Sequence, residues 1–327
     1  MQSKTKFLLD DITIKMLFKK AGIDGVKSIS PLGDGMYNAV YEVVADKPYV
    51  LKIAPKKDVA VLTYESSMMK SEVYWYSVMR EKTDIRVPDV YYFDFSCELI
   101  PTEWFVMEKM EGQTRGNFKM TDEEKADVNA KTAQMVSKMH SVRNDKFGYI
   151  QNGLYDNWYL ALRSMVSNLL NDLKRVNKHS KRGEKLLSYI DEYKDVFEKA
   201  ECCMVNFDIW DPNIMCTREN GEVQYAWIDP ERCFWGDRIV DFICLETMND
   251  LEDKKESLEA YNKVAEFPIE VNRETKIRYA AAQGLMALIM ETEKYYRYRP
   301  YNQGWWVDTV TPSFMYPKAF GVFKNGK

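Results

Sequence analysis

The spacing of apolar residues predicts a small antiparallel sheet near the start of the chain. Residues 40–44 (VYEVV) and 49–53 (YVLKI) are apolar runs on either side of a short polar turn, which is typical of a β-hairpin. Residues 64–80 carry apolar side chains at spacings of three and four, as on the buried side of an amphipathic helix. Further strands are predicted around residues 26–32, 90–95 and 103–107. The predicted order is β-β-β-α-β-β, which is a sheet of five strands with one helix.

After residue 121 almost every apolar pattern has helical spacing. Thr121 and Glu124 form a capping-box pattern that predicts the start of a helix. The pattern predicts an α+β chain with an N-terminal lobe over residues 1–110 and a larger, mostly helical C-terminal lobe over residues 111–327. One β-rich segment, residues 204–235, interrupts further predicted helices over residues 158–176, 184–198, 251–265 and 275–297.

Composition and charge exclude several classes of function. The chain has 46 Lys and Arg against 50 Asp and Glu, so a net charge of −4 gives no electrostatic reason to bind nucleic acid. The longest nearly uncharged apolar stretch, residues 280–290, is far shorter than the roughly 20 residues that a membrane span needs. Asp10 and Asp11 interrupt the apolar run that a secretory signal would require. We therefore expect a cytoplasmic protein that acts without nucleic acid or membrane.

Histidine and cysteine chemistry is also disfavoured. The six cysteines fall at irregular spacings with no C-x-x-C pattern, and the chain has only two histidines. A zinc site and a His-dependent hydrolase are therefore both improbable. Carboxylates must carry any acid–base or metal chemistry.

The segment VNFDIWDPNIMCTRENGEVQYAWIDPE concentrates the candidate chemistry. Its Asn220–Gly221 pair predicts a tight turn, and folding the chain back there places Asn213 opposite Ile228. Asn213 and Asp229 should then emerge at the same open end, within reach of Asp208. Three oxygen-bearing side chains without a histidine suit Mg²⁺ and phosphate better than zinc.

Two interpretations of this segment are open. Each of these residues taken alone would most often cap a turn. The joint pattern D-x-x-x-x-N with a following I-D favours phosphoryl transfer, in which one carboxylate accepts the proton of the attacking hydroxyl while an amide and a second carboxylate hold metal ions.

The N-terminal lobe contains residues that would complete such a site. Gly33 and Gly35 lie in a predicted turn between strands, where glycine lets backbone amides approach a phosphate closely. Lys52 interrupts an apolar strand, and Glu72 lies on the inward side of the predicted helix, where an acid needs a partner. Glu72 is the preferred partner of Lys52, and Glu65 is the alternative.

With these motifs in place, the chain resembles the aminoglycoside phosphotransferase and choline kinase group of small-molecule kinases, which share the protein-kinase-like two-lobed fold. The resemblance runs from the glycine turn near Gly33 to Asp241. It implies that Asp208 is the catalytic base and that Asn213 and Asp229 are Mg²⁺ ligands.

The resemblance also assigns the nucleotide site. It implies that the turn with Gly33 and Gly35 contacts ATP and that Lys52 with Glu72 positions its phosphates. It further implies that backbone groups of Glu108 and Met110 hold adenine.

The chain departs from the group in the catalytic loop. Asn206 and Phe207 stand where the group usually has histidine and glycine. In the group's G-D-x-x-x-D element, the later aspartate usually braces the catalytic loop, and Asp241 matches it. Other strings, such as D-I-W-D-P-N, are similar to fructosamine kinases, so the subfamily stays open.

Two functions follow as hypotheses. The first is an ATP- or GTP-dependent and Mg²⁺-dependent phosphotransferase acting on a hydroxyl of a small polar molecule, which would be aminoglycoside-, choline- or sugar-amine-like. The alternative is a nucleotide-binding pseudokinase whose change at Asn206 reflects lost catalysis. The acceptor is expected beside Asp208, near a group of acids and a group of aromatic residues. The acids, which could also form a solvated helix face, are Glu246, Asp250, Glu252 and Asp253. The aromatic residues, which could bind an amine or pack the C-terminal segment against the lobe, are Tyr295, Tyr296, Tyr298, Trp305 and Trp306.

Overall fold

The N-terminal part of the protein is a five-stranded antiparallel sheet. The computed structural model describes residues 5–33 and 37–325. The strands pair in the order β1-β2-β3-β5-β4. All five predicted strands are present, with bounds β1 Ser28–Pro31, β2 Ala39–Val44, β3 Pro48–Ile53, β4 Val90–Asp94 and β5 Trp104–Glu108.

The outer face of this sheet is covered by a helix that the sequence pattern did not predict. Helix α1, Asp11–Lys20, begins at the N-cap Asp10, whose side chain accepts a hydrogen bond from the backbone of Thr13 at 2.7 Å. Its buried residues Ile14, Leu17 and Phe18 pack in the core on this side of the sheet. The exposed side of α1 also carries apolar residues, which blurs the amphipathic pattern along the sequence.

The predicted helix of the sheet starts later than expected. Helix α2 spans Met68–Lys82, and the residues Thr63–Glu65 form a 3-10 turn instead. The inner side of α2 is buried in the main core together with residues of the C-terminal part. This arrangement carries Glu72 to the boundary between the sheet and the helical part.

Helices dominate the C-terminal part, as predicted. The capping box at Thr121 is confirmed, because the Thr121 hydroxyl accepts from Glu124 N at 3.2 Å and the Glu124 carboxylate accepts from Thr121 N at 2.9 Å. The predicted helix over residues 184–198 is two helices that meet at Tyr193, and the one over residues 251–265 is shorter than expected. The helix bounds are α3 Asp122–His140, α4 Trp158–Arg175, α5 Lys181–Glu192, α6 Lys194–Glu198, α7 Lys255–Asn262, α8 Arg273–Arg297 and α9 Gln303–Asn325.

Helix α9 was not predicted, since Pro312 and Pro317 lie inside it.

None of the helices within the described ranges is long and apolar enough to cross a membrane. The lobe boundary at residue 110 stays a prediction.

The β-rich segment forms two small antiparallel sheets, one of which also includes a short strand from residues 113–114. One pairs β7 with β10, and the other has the order β6-β8-β9. Their strands are β6 Gln113–Thr114, β7 Cys202–Val205, β8 Ile214–Glu219, β9 Glu222–Trp227 and β10 Phe234–Asp237.

Candidate active site

The hairpin of β8 and β9 brings two candidate metal ligands together. Asn220 and Gly221 take positive φ values of 51° and 87°, as a tight hairpin turn requires. Ile214 pairs with Trp227 in the ladder, and Ile228 N donates to Asn213 O at 3.0 Å. The predicted register is therefore confirmed, and it places Asn213 beside the residue that precedes Asp229.

A buried carboxylate braces the loop between β7 and β8. Asp241 accepts hydrogen bonds from Phe207 N at 2.6 Å and from Asn206 N at 3.2 Å. His140 Nε2 lies 2.9 Å from Asp241 Oδ2 and orients the carboxylate from helix α3. The bracing expected for Asp241 is present in the structure.

The two unusual residues of this loop have local structural roles. Phe207 has a φ of 60° in the left-handed region, where glycine is normally favoured. Its ring is fully buried and packs edge-on against Phe234 with ring centroids 5.4 Å apart, so burial offsets the backbone strain. The Asn206 side chain accepts a hydrogen bond from Asp208 N at 3.1 Å and so fixes the loop on its other side.

Asp208 lies between an amide and a guanidinium. Asn213 Nδ2 donates to Asp208 Oδ2 at 2.9 Å and to the Asp208 backbone carbonyl at 3.0 Å. Arg232 Nε lies 3.5 Å from Asp208 Oδ1. Burial raises the pKa of Asp208 to about 6, and the positive charge of Arg232 limits that rise. The carboxylate is ionised at neutral pH, and because its pKa lies close to that pH it can readily accept and release a proton.

Lys52 on strand β3 joins the N-terminal sheet to Asp229, which follows strand β9. Its ammonium lies 2.7 Å from Glu72 Oε2 and 2.6 Å from Asp229 Oδ1. Burial opposes the charge, but the carboxylates of Asp229 and Glu72 raise the pKa of Lys52 above its ordinary value. Burial also raises the pKa of Glu72, against the pull of Lys52. Glu65 is not the partner of Lys52 and instead forms an ion pair with Arg297.

Tyr76 is a residue that sequence reasoning missed. Its hydroxyl accepts a hydrogen bond from Asp229 N at 2.9 Å and donates to Glu72 Oε1 at 3.3 Å. Asp229 has a left-handed φ of 57°, which orients its carboxylate toward Lys52. The helical spacing of Glu72 and Tyr76, which are four residues apart, was the signal available in the sequence.

Glu231 was also missed, although it lies only two residues after Asp229. Single carboxylate oxygens of Glu72, Asp229 and Glu231 all lie within 4.8 Å of one another. Asn38 Nδ2, at the end of the glycine turn, donates to Glu231 Oε2 at 3.1 Å. Burial and the neighbouring charge of Asp229 raise the pKa of Glu231. Such a group of hard oxygen donors suits a divalent cation such as Mg²⁺.

The remaining residues expected to bind the nucleotide are the glycines of the turn after β1, expected at its phosphates, and Glu108 and Met110, expected at its base. Gly33 has a φ of 71° in the turn that follows β1, and Gly35 lies outside the described residues. Glu108 ends strand β5, where its backbone N donates to Asp89 O at 2.7 Å. Glu108 and Met110 line a groove of about 340 Å³ at the junction of the two parts.

The turn before α2 is anchored to the helical part by buried polar contacts. Thr63 N and its hydroxyl donate to the Asp172 carboxylate at 2.8 and 2.5 Å. The Tyr64 hydroxyl donates to Glu293 on α8 at 2.6 Å. These contacts fix α2, and therefore Glu72, relative to the loop that carries Asp208.

A large cavity lies on the other side of the same loop. It has a volume of about 920 Å³, and residues 209–212 form one wall of it. Glu246, Glu256 and Glu259 contribute negative charge, and the cations Arg115 and Lys263 also line the cavity. The loop that carries Glu246 is fixed by buried Lys254, whose ammonium donates to the Leu245 and Glu246 carbonyls at 2.5 Å.

The other acids expected near the acceptor point to different partners. Asp250 lies 3.2 Å from Lys318 and Glu252 lies 2.9 Å from Lys276. Of the expected acids, only Glu246 lines this cavity.

The aromatic residues of the C-terminal segment mostly pack within the protein. The Tyr296 hydroxyl donates to the Asp172 carbonyl at 2.7 Å, and Tyr295 and Trp305 meet edge-on with their ring centroids 5.2 Å apart. The Lys294 ammonium lies over both of these rings, at 5.2 and 5.7 Å from their centroids. A cation of the protein itself thus occupies the position that a bound amine would take.

Comparison with known proteins agrees with this geometry. The family model described as APH, phosphotransferase enzyme family, matches residues 28–272. A search of curated proteins gives no significant match.

Solved structures with the same fold cover nearly the whole chain. A proposed aminoglycoside phosphotransferase from Ralstonia eutropha is 15% identical, with a TM-score of 0.65 and coverage of 95% of this chain and 98% of that chain. A proposed fructosamine-3-kinase from Thermobifida fusca is 15% identical, with a TM-score of 0.63 and coverage of 97% and 100%. The streptomycin–ATP complex of APH(2″)-IIa is 16% identical, with a TM-score of 0.60 and coverage of 95% and 97%.

These matches confirm the predicted α+β, protein-kinase-like fold. Since the family model covers more than half of the chain, this protein belongs to the APH phosphotransferase enzyme family and is a small-molecule phosphotransferase.

Proposed function

We propose that this protein transfers the γ-phosphate of ATP or GTP, with Mg²⁺, to a hydroxyl group of a small polar molecule. The observation that carries the proposal is the pair of contact groups that five polar residues form at the site, one around Asp208 and the other around Lys52. Asn213 contacts Asp208 at 2.9 Å, and Lys52 contacts both Glu72 at 2.7 Å and Asp229 at 2.6 Å. Phosphoryl transfer needs a base, a phosphate-binding cation and metal-binding oxygens in one place, and these residues supply each of them.

Asp208 acts as the catalytic base in this proposal. Its pKa is raised to about 6 but is still below neutral pH. The carboxylate is therefore ionised and can accept the proton of the acceptor hydroxyl. Asn213 holds the carboxylate through its Nδ2 group, which leaves its amide oxygen for a cation.

Asn213, Asp229 and Glu231 would hold Mg²⁺. The ion would neutralise charge on the phosphate oxygens and help to align them. Lys52 binds phosphate oxygens beside it, and Glu72 keeps the ammonium in position.

The nucleotide would lie along the cleft between the sheet and the helical part. The turn with Gly33 and Gly35 contacts its phosphates, and backbone groups of Glu108 and Met110 hold its base. Met110 N makes no backbone hydrogen bond to another described residue, which leaves this donor for a ligand. Structures with the same fold contain ATP in the APH(2″)-IIa complex and ADP in APH(2″)-Ib, which supports a nucleotide donor.

The cavity beside residues 209–212 is the proposed acceptor pocket. Its volume of about 920 Å³ suits a molecule of several rings or a sugar with an amine. Glu246, Glu256 and Glu259 favour an acceptor with positive charge, so an aminoglycoside-, choline- or sugar-amine-like hydroxyl compound is the expected class.

The setting of the reaction is also part of the proposal. All six cysteines are free thiols, as expected in a reducing compartment. We therefore retain the cytoplasm as the expected location, with a hydroxyl-bearing small molecule as the partner.

The pseudokinase alternative receives less support from the geometry. Asn206 holds the Asp208 backbone, and Asp241 holds Asn206 and Phe207, so the loop keeps its form without the usual histidine and glycine. An active enzyme is therefore the favoured conclusion.

The test is consumption of ATP or GTP with Mg²⁺ in the presence of aminoglycosides, choline, homoserine, methylthioribose and fructosamines. Turnover that depends on one class of compound, and that falls by about 10²-fold or more in Asp208→Asn, supports the proposal. Asp156→Asn is the matched control, because this exposed aspartate pairs with Lys146 and lines neither the groove at Glu108 nor the proposed acceptor pocket. Absence of Mg²⁺-dependent nucleotide binding would overturn the proposal, and binding without turnover of any compound would favour the pseudokinase.

A further inference from the structure

Arg232 is a buried cation that no step described so far uses. It follows Asp229 by three residues, and its side chain is 12% exposed. Its Nε lies 3.5 Å from Asp208 Oδ1, and its Nη2 lies 2.9 Å from Glu293 Oε1 on helix α8. The guanidinium is thus held directly beside the proposed base.

Two nitrogen atoms of Arg232 have no hydrogen-bond partner among residues 5–33 and 37–325. Nε and Nη1 are both buried, and neither donates to any of the described residues. Buried polar groups in folded proteins are nearly always hydrogen-bonded, and a charged donor is especially costly to leave without an acceptor. An acceptor absent from the free protein would satisfy both atoms.

Other buried arginines do not share this feature to the same extent. Arg278 donates from Nη1 to both oxygens of Asp237, at 3.1 and 3.2 Å, and has no unpartnered buried atom among those described. Arg297 has one such atom, Nε, but its guanidinium lies over the Tyr37 ring, 5.3 Å from the centroid.

The position of Arg232 matches that of the group being transferred. The acceptor hydroxyl must lie within hydrogen-bond distance of Asp208, and the phosphorus that it attacks lies only about 3 to 3.5 Å beyond it. Lys52 is already engaged by Glu72 and Asp229, so it cannot by itself balance the charge on the oxygens of the transferred phosphoryl group.

We propose that Nε and Nη1 of Arg232 bind oxygens of the phosphoryl group during its transfer. This inference rests on the proposed phosphotransferase function. The acceptor oxygen forms a bond to the γ-phosphorus, the bond from that phosphorus to the oxygen bridging to the β-phosphate breaks, and the acceptor proton passes to Asp208. Arg232 keeps its protons throughout and supplies two charge-assisted hydrogen bonds.

The experiment compares two nucleotides that differ at the γ-phosphate. Binding of ADP and of AMP-PNP, each with Mg²⁺, is measured by calorimetry for the wild type, Arg232→Ala and Arg232→Lys. We expect Arg232→Ala to weaken AMP-PNP binding by about 10- to 100-fold while ADP affinity changes by less than about twofold. Arg232→Lys should be intermediate, because lysine keeps the charge but not the paired donors.

A purely structural role predicts a different result. Arg278→Ala removes a buried ion pair of the same kind and should lower the melting temperature without changing the ratio of AMP-PNP to ADP affinity. If Arg232→Ala and Arg232→Lys also leave that ratio unchanged, Arg232 only balances Asp208 and Glu293, and the inference is wrong even though the proposed function stands. If the wild type binds neither nucleotide, the inference and the proposed function fail together.

Discussion

Replacing the proposed catalytic base should make the protein more stable as well as inactive. Asp208→Asn removes the carboxylate but keeps the size of the side chain, and its amide oxygen can still accept the hydrogen bond from Asn213. The structure holds the Asp208 carboxylate in a buried position, with a pKa raised from its ordinary value of 3.8 to about 6. The folded protein therefore carries an ionised group that the unfolded chain solvates better.

The size and pH dependence of the effect follow from this pKa. Because the folded state binds the proton more tightly than the unfolded state, the stability of the wild type falls as the pH rises from 3.8 to about 6 and then levels off. A difference of about two pKa units corresponds to about 3 kcal/mol. This value is an upper bound, since about a fifth of the side chain is exposed. The expected gain for Asp208→Asn is at most about 1.5 kcal/mol at pH 5 and at most about 3 kcal/mol at pH 8.

Urea denaturation of both proteins at several pH values between 5 and 8 measures this difference. The free energy of unfolding should be higher for Asp208→Asn throughout, and the gap should widen with pH while the m-value stays the same. The exposed neighbour Asp211 provides the control, and Asp211→Asn should change the free energy of unfolding by less than about 0.5 kcal/mol.

An Asp208→Asn protein that is no more stable than the wild type at pH 8 would refute the reasoning. So would a gap that does not change with pH, because the benefit would then not come from the ionisation of Asp208.

Three further predictions concern the same loop and cluster. Turnover by the wild type should rise with pH through an apparent pKa near 6, since protonated Asp208 cannot accept the acceptor proton; a flat profile between pH 5 and 7 would argue against Asp208 as the base. Glu231→Gln should raise the Mg²⁺ concentration needed for half-maximal nucleotide binding by about tenfold, whereas exposed Glu222→Gln should not; equal requirements would remove Glu231 from the metal site. Phe207→Gly should relieve the left-handed backbone but lose a fully buried ring, with a net loss of about 2 to 4 kcal/mol in urea denaturation; a stabilised variant would show that strain outweighs packing.

Local patterns were sufficient to predict the strands and the hairpin that positions the metal ligands. Alternating apolar residues and the Asn220–Gly221 turn depend on neighbours along the chain, so β2, β3, β8 and β9 and the opposition of Asn213 and Ile228 could be read from the sequence. Helix α1 was missed because apolar residues lie on its exposed side too. Helix α9 was missed because Pro312 and Pro317 lie inside its run.

The sequence by itself determined which residue types are available for chemistry: carboxylates, one strand lysine and an Asp-Asn spacing, with few histidines. The tertiary structure decided which of them meet. Glu72 on α2 and Glu65 in the turn before it are both buried acids. Only the tertiary packing brings Lys52 of β3 to Glu72 and Arg297 of α8 to Glu65. Arg232 contacts Asp208 and Glu293, and the three residues come from different parts of the chain. A buried charge needs a partner, and the partner is decided by how whole helices and strands pack against each other. A local sequence pattern contains no information about that packing.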